Sequence, residues 1–317
     1  MNLYHYCSTK KCFSILESKT LRMSDVAKSN DYSELELFFP QILWELRKEY
    51  IHNPFSFKFE NLYDFAAFDY LLDDTYEYWK YRFGSGEFSN LMVCFSSVED
   101  SLSQWRGYAD NGKGCCMVFS KDAIKRYCRK SKGLLRFEKI TYLTDSQIDD
   151  LVKNTAKSIL QSLRVFVLEN DYNTIPNDPD HDFDIMLINH LDKILGEFFI
   201  DSLKYKSQAF YEEDEWRIFM THTTQQHREL IKYGRNFSQS KNNIELKNET
   251  NDDICFRISD DDIIPFYPIY LDELGKHSFI GIILGPKNHI RTSDIKLYLQ
   301  QHGYGNIIIE HSQITYR

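Results

Sequence analysis

Two rhythms of apolar residues alternate along the chain. Strand-length runs at "NLYHY" (2–6) and "TLRMSD" (20–25) flank "STKKCFSILESK" (8–19), a segment of helical spacing behind a Ser-Thr cap, so a β-α-β-like start is predicted. Helical spacing then covers "DYSELELFFPQILWELRKEY" (31–50), interrupted by Pro40, and "NLYDFAAFDYLLDDTYEYWKYRF" (61–83); both helices are expected to pack over a sheet. "LMVCFSS" (91–97) and "CCMVFS" (115–120) are nearly continuous apolar runs, the mark of strands buried on both faces, and they flank the helical-looking "SLSQWRGYA". From about 145 to 206 the pattern is helical again, broken by a loop at "NTIPNDPDHDFD" (173–184). Further strands are expected at "EWRIFMTH", "DICFRI", "FIGIILG" and "NIIIEH", with "TSDIKLYLQQHG" as a capped helix ending at Gly303. The pattern predicts one α+β domain over 1–317: a mixed sheet with flanking helices and a mostly helical insertion at about 145–206.

The stretch "YEEDEWRIF" (211–219) poses the sharpest question. Read as a strand, it puts Glu212, Asp214, Trp216 and Ile218 on one side and Glu213, Glu215, Arg217 and Phe219 on the other. Only the first side looks buried from Trp216 onward. The second carries two carboxylates about 7 Å apart followed by a cation, which is either a solvated edge or a working surface.

Composition narrows the classes. The 317-residue chain is 42% apolar and long enough for a large core, and no apolar run approaches the roughly 20 residues that span a bilayer. With no signal-like opening, a soluble, cytoplasmic protein without membrane association is expected. Seven irregularly spaced cysteines suit reduced thiols, and a net charge of −9 argues against a general nucleic-acid binder. The 23 Phe and 21 Tyr are unusual, yet rings fill cores as readily as they stack on a base.

Familiar site patterns fail on context. "GYADNGKG" (107–114) satisfies GxxxxGK, but Gly114 stands where Ser or Thr should hold magnesium, and the segment runs from a helix into a strand instead of the reverse. A glycine-bearing turn with Lys113 in solvent is the plainer reading. His222 with His227, and the acidic run around His181, lack ligand spacing. Cys115 and Cys116 would point to opposite faces of a strand, so no metal site is assigned.

Taken together, "LYHY", "TLRMS", "CFSS…SQWRGYADNGKGCCMVF", "YEEDEWRI", "GIILGP" and "SQITYR" resemble a bacterial domain of unknown function family, number 2971. More distantly, the His-Tyr strand, short helix and second strand resemble the start of ADP-ribosyltransferase-like enzymes, and "EDE" (213–215) is similar to their Glu-x-Glu. The resemblance implies an NAD-consuming enzyme that transfers ADP-ribose to a protein or nucleic-acid acceptor or hydrolyses NAD, as a toxin or phage-defence effector. It also implies His5 as the ribose contact, Ser96 as the middle-strand residue and Glu215 as the catalytic carboxylate.

Breaking the nicotinamide–ribose bond builds positive character on the sugar, which a fixed Glu215 can stabilise while Glu213 orients or deprotonates the nucleophile. Arg22, Arg106, Lys113 or Arg217 could offset the pyrophosphate, and Tyr4, Tyr6 or Tyr108 could stack on the nicotinamide, with Trp105 beside them. Two other classes stay open: a non-catalytic nucleotide-sensing or protein-interaction module, and a metal-dependent nuclease built on the acidic cluster.

Overall fold

A computed structural model describes residues 1–26, 38–60, 62–85, 88–170, 183–223, 254–259, 262–275 and 277–316. The start of the helix at 31–50, most of the loop at 173–184, His181 and His227 lie outside the described residues.

The predicted opening is present as β1 (Asn2–Cys7), α1 (Thr9–Ser18) and β2 (Thr20–Asp25). Ser8 caps α1 by accepting from the Lys11 N–H, and Lys19 ends it in the left-handed region at φ 50°. Next come α2 (Phe39–His52), a ribbon of β3 (Lys58–Phe59) and β4 (Leu62–Tyr63), and α3 (Asp64–Ser85). Pro40 does not interrupt α2. It lies in the first turn, where a missing N–H costs nothing. The middle of the chain forms β5 (Phe88–Ser96), the short α4 (Leu102–Gly107), β6 (Cys115–Ser120) and α5 (Lys121–Lys130). After β7 (Arg136–Lys139) and β8 (Thr141–Leu143), two long helices, α6 (Asp145–Glu169) and α7 (Phe183–Ser202), occupy the region read as a helical insertion. The chain returns through β9 (Tyr205–Ser207) to β10 (Glu215–Thr223), and then forms β11 (Cys255–Ser259), β12 (Asp262–Tyr270), β13 (Phe279–Leu284), α8 (Thr292–Gln301) and β14 (Ile308–His311). The fold is α+β, with a mixed sheet of ten strands flanked by helices. No described helix is long and apolar enough to cross a membrane.

Among the described residues two large apolar cores stand out beside two smaller clusters. One lies between a face of the sheet (Leu3, Leu21, Met23, Val93, Phe95, Met117, Ile282) and helices α1, α5 and α8. The other is helical: α2 and α3 do not chiefly cover the sheet but bury their apolar stripes against α6 and α7. Phe39, Trp79 and Phe199 meet there with ring centroids 4.8–6.3 Å apart. Aromatic stripes on four helices satisfy one another better than a sheet face already covered could.

The sheet forks at β5. One edge of β5 is taken along its whole length by β10, from Glu215↔Ser96 to Thr223↔Phe88. The other edge is shared end to end: β2 pairs at Met92 and Leu91, and β1 pairs only at Ser96. Two wings diverge from there, β1-β6-β13-β14 and β2-β12-β11. Between them residues 93–95 of β5 have no strand neighbour on that edge, and a cavity of about 330 Å³ opens.

Candidate functional site at the sheet fork

Strand alternation assigns one face to the core and the other to the cavity. On β5, Leu91, Val93 and Phe95 enter the core, while Met92, Cys94 and Ser96 line the cavity. The expectation of a strand buried on both faces therefore holds for β6, whereas on β5 Met92 and Cys94 are only partly buried. The register carries the same face across neighbouring strands, to Glu215 and Arg217 on β10, Tyr4 on β1 and Ser24 with Arg22 on β2. Nine of the twelve residues singled out from the sequence line this cavity: Tyr4, His5, Tyr6, Arg22, Ser96, Tyr108, Glu213, Glu215 and Arg217.

Trp105 does not. It is fully buried, donates its indole N–H to Asp100 at 2.6 Å, and meets Tyr6 edge-on at 4.9 Å, so it supports the cavity wall from behind. Arg106 and Lys113 are exposed and do not line the cavity. "GYADNGKG" is the helix-to-strand turn expected of it. A Cβ at Gly114 would collide with the carbonyls of Cys7 and Ala109, and the Asn288 amide donates to the Lys113 and Gly114 carbonyls at 2.9 and 3.0 Å. Cys115 and Cys116 do part to opposite faces, and all seven cysteines are free thiols.

His5 fills the gap that the fork leaves. Its Nδ1 lies 2.9 Å from the Cys94 carbonyl, a main-chain acceptor with no strand beside it. A carbonyl only accepts, so Nδ1 carries the proton and Nε2 of the neutral ring keeps a free lone pair. Burial lowers the His5 pKa and keeps the ring neutral, with the Lys11 charge adding to it. Tyr6 is committed to the protein: its hydroxyl donates to the Glu99 carbonyl at 2.7 Å and accepts from the Ser101 N–H at 3.2 Å.

The "YEEDEWRIF" stretch is a strand only in its second half. Residues 208–213 form a 3₁₀ turn, Asp214 takes a left-handed conformation at φ 39°, and the strand begins only at Glu215. Glu212, Glu213 and Asp214 therefore leave the alternation assumed for them. Ser96 locks this corner by donating to the Glu213 carbonyl at 2.7 Å and accepting from the Val98 N–H at 3.0 Å. The side read as polar is as buried as its opposite: Glu215 is 5% exposed, Arg217 2% and Phe219 0%.

A ladder of alternating charge results. Tyr108 donates to Glu213 Oε1 at 2.7 Å, Lys206 Nζ contacts Glu213 Oε2 at 2.8 Å and lies 3.8 Å from Glu215 Oε2, and Arg217 grips Glu215 through Nε and Nη2 at 2.8 and 3.0 Å. Burial would raise the Glu215 carboxyl. The charge and hydrogen bonds of Arg217, with Lys206 beside it, outweigh that and hold it below the usual range. Burial raises the Cys94 thiol, with Glu215 acting in the same sense, so it is no nucleophile. The Tyr108 phenol is also raised, first by burial and further by Glu213.

Five cationic side chains (Lys11, Arg22, Lys206, Arg217, Arg257) face three carboxylates (Asp25, Glu213, Glu215) in this cavity, although the chain carries −9. Sequence reasoning missed Lys206 and Arg257. Lys206 belongs to a three-residue strand with no pattern to read. Arg257 sits in an inverted one: Phe256 and Ile258 are exposed while Arg257 turns to the cavity. Among the described residues no group of three or more His, Cys, Asp or Glu side chains is arranged to hold a metal ion.

Fold and cavity together define an α+β protein with a charged, ligand-sized pocket at a fork in its sheet. Residues 104–218, which carry Tyr108, Lys206, Glu213, Glu215 and Arg217, match the model of the family described as protein of unknown function (DUF2971). The stretches near both termini that share the resemblance lie outside the matched span. No curated protein and no solved structure matches the chain.

Proposed function

We propose that the fork cavity binds NAD and that the protein is an ADP-ribosyltransferase-like enzyme, transferring ADP-ribose or hydrolysing NAD. The observation that carries this reading is convergence: His5, Ser96, Glu213 and Glu215, distant in sequence, border one cavity. In the reaction the C1′–N bond to nicotinamide breaks and its electron pair neutralises the pyridinium nitrogen. The new bond joins C1′ to an acceptor oxygen, whose proton passes to Glu213. Glu215 stays ionised, because Arg217 fixes it in orientation and charge, and acts as a stationary anion toward the oxocarbenium-like sugar. Ser96 acts on the protein, by holding the corner that presents Glu213.

The test follows nicotinamide release from labelled NAD, with and without candidate protein and nucleic-acid acceptors. Wild type should consume NAD, and Glu213→Gln should retain the fold and lose turnover by two or more orders of magnitude, the range of a general base. Equal release from both proteins rejects the assignment.

One observation favours a second reading, a nucleotide-sensing module without turnover: both Glu215 oxygens are already engaged by Arg217. In that case NAD or a fragment of it binds and no nicotinamide is released. The nuclease reading gains no support from Glu213 and Glu215, which pair with Lys206 and Arg217.

A further inference from the structure

The two ends of the cavity differ in how their charges are matched. At the β10 end, Lys206 and Arg217 each meet a glutamate. At the opposite end, Arg22 of β2 and Arg257 of β11 have no carboxylate within ion-pair distance among the described residues. The two arginines project from one face: Arg22 pairs with Pro268 on β12 and Arg257 with Ile264, and positions 264 and 268 share a side of that strand. Arg22 is held in place, with its guanidinium 5.2 Å from the centre of the Phe266 ring and Nη2 donating to Ser14 Oγ at 3.2 Å. Its Nε is buried with no hydrogen-bond partner. Among the described residues the Arg257 side chain makes no ion pair or hydrogen bond, and burial followed by the Arg22 charge lowers its pKa.

Two neighbouring guanidinium groups, one oriented by stacking and one unengaged, are mutually repulsive until an anion lies between them. We infer that Arg22 and Arg257 form a phosphoryl-binding clamp, which takes the diphosphate of a nucleotide whose sugar points toward Glu213. The clamp deepens the NAD reading and rests on it for the rest of the ligand. The phosphoryl recognition itself needs only the two arginines, and free pyrophosphate shares that chemistry.

Isothermal titration of the full chain at low salt, with ADP-ribose, inorganic pyrophosphate and adenosine, tests it. ADP-ribose should bind wild type more tightly than adenosine does, and Arg257→Gln should weaken ADP-ribose ten- to a hundredfold, the loss of one or two charge-assisted hydrogen bonds. Adenosine should be unaffected, and Arg257→Lys should restore part of the affinity. Pyrophosphate binding that also depends on Arg257 assigns the recognition to the phosphoryl group alone. Binding only of ADP-ribose assigns it to the diphosphate within a nucleotide. Arg257 lies on a strand at the sheet edge, so melting temperature checks that Arg257→Gln stays folded. Equal ADP-ribose affinity in wild type and Arg257→Gln overturns the clamp, as does a wild type that binds neither ADP-ribose nor pyrophosphate. NAD that is never consumed while ADP-ribose still binds through Arg257 removes the enzymatic reading and leaves the clamp standing.

Discussion

The helical core and the sheet fork bury side chains for opposite reasons. Around Phe39, Trp79, Leu195 and Phe199 the buried surface is apolar, and each ring and methyl group leaves water at a gain of roughly 25 cal/mol per Å². At the fork, Lys206, Glu215 and Arg217 are as inaccessible as those rings, yet each had to shed its hydration. Buried ion pairs are weak contributors to stability, because desolvation consumes most of the Coulombic gain. The helical layer holds the chain together, whereas the fork keeps charges in fixed positions.

That contrast can be broken most sharply at Arg217. Arg217→Met alone strands a buried carboxylate and should cost about 3–5 kcal/mol by urea denaturation. Adding Glu215→Leu should recover most of that loss, and a double mutant no more stable than the single would make the fork an ordinary core. Leu195→Ala in the helical layer should cost about 2–5 kcal/mol, with no partner substitution able to recover it and with NAD turnover unchanged in the folded fraction.

Acid titration separates two groups at the fork. The His5 pKa is lowered on folding, so protons favour the unfolded chain once pH drops below about 6.5, and stability should decline from there. His5→Gln should make this upper limb shallower, leaving the part that belongs to His190, whose pKa burial also lowers. Glu215 is also lowered, so its contribution is complete above about pH 4.5 and is lost as pH falls through the folded value; Glu215→Gln should make only that lower limb shallower, with Asp201 and Asp214, also lowered, supplying the remainder. The smallest effect belongs to the surface. The Lys204–Asp201 pair is about a third to a half exposed, and Lys204→Ala should change stability by no more than about 1 kcal/mol.

How much of this was legible in the sequence depended on the element. Strands and helices with a clear period, such as β1, α1, β6 and α8, could be read directly. β12 could not, because "DIIPFYPIY" carries two prolines. Pro265 and Pro268 are three apart, so on an antiparallel strand they remove a donor from opposite edges, one each, and the strand still pairs with β11 and β2. The site was legible as residue types. His5, Glu213 and Glu215 stood out by kind and order, and the fork brings them to one cavity. Their roles were hidden by their partners: Arg217, visible two positions along and read as a pyrophosphate contact, instead grips Glu215, while Lys206 on a three-residue strand and Arg257 on the inward side of a strand whose apolar residues face water leave no local signal. Trp105 failed because a three-residue spacing to Tyr108 does not tell which side of α4 turns inward.

The way two strands share one edge of β5 also bears on engineering. The gap between β1 and β2 is a main-chain dimension, governed by pairing at Ser96 and Met92 and by the helix that joins the two strands. Substitutions at 22, 24, 213 or 257 change the lining of the recess and leave the spacing of the strands as it is. Admitting a bulkier guest would require lengthening the α1 connection, and selection experiments aimed at new specificity would do better to vary that loop-and-helix length than to enlarge any single residue.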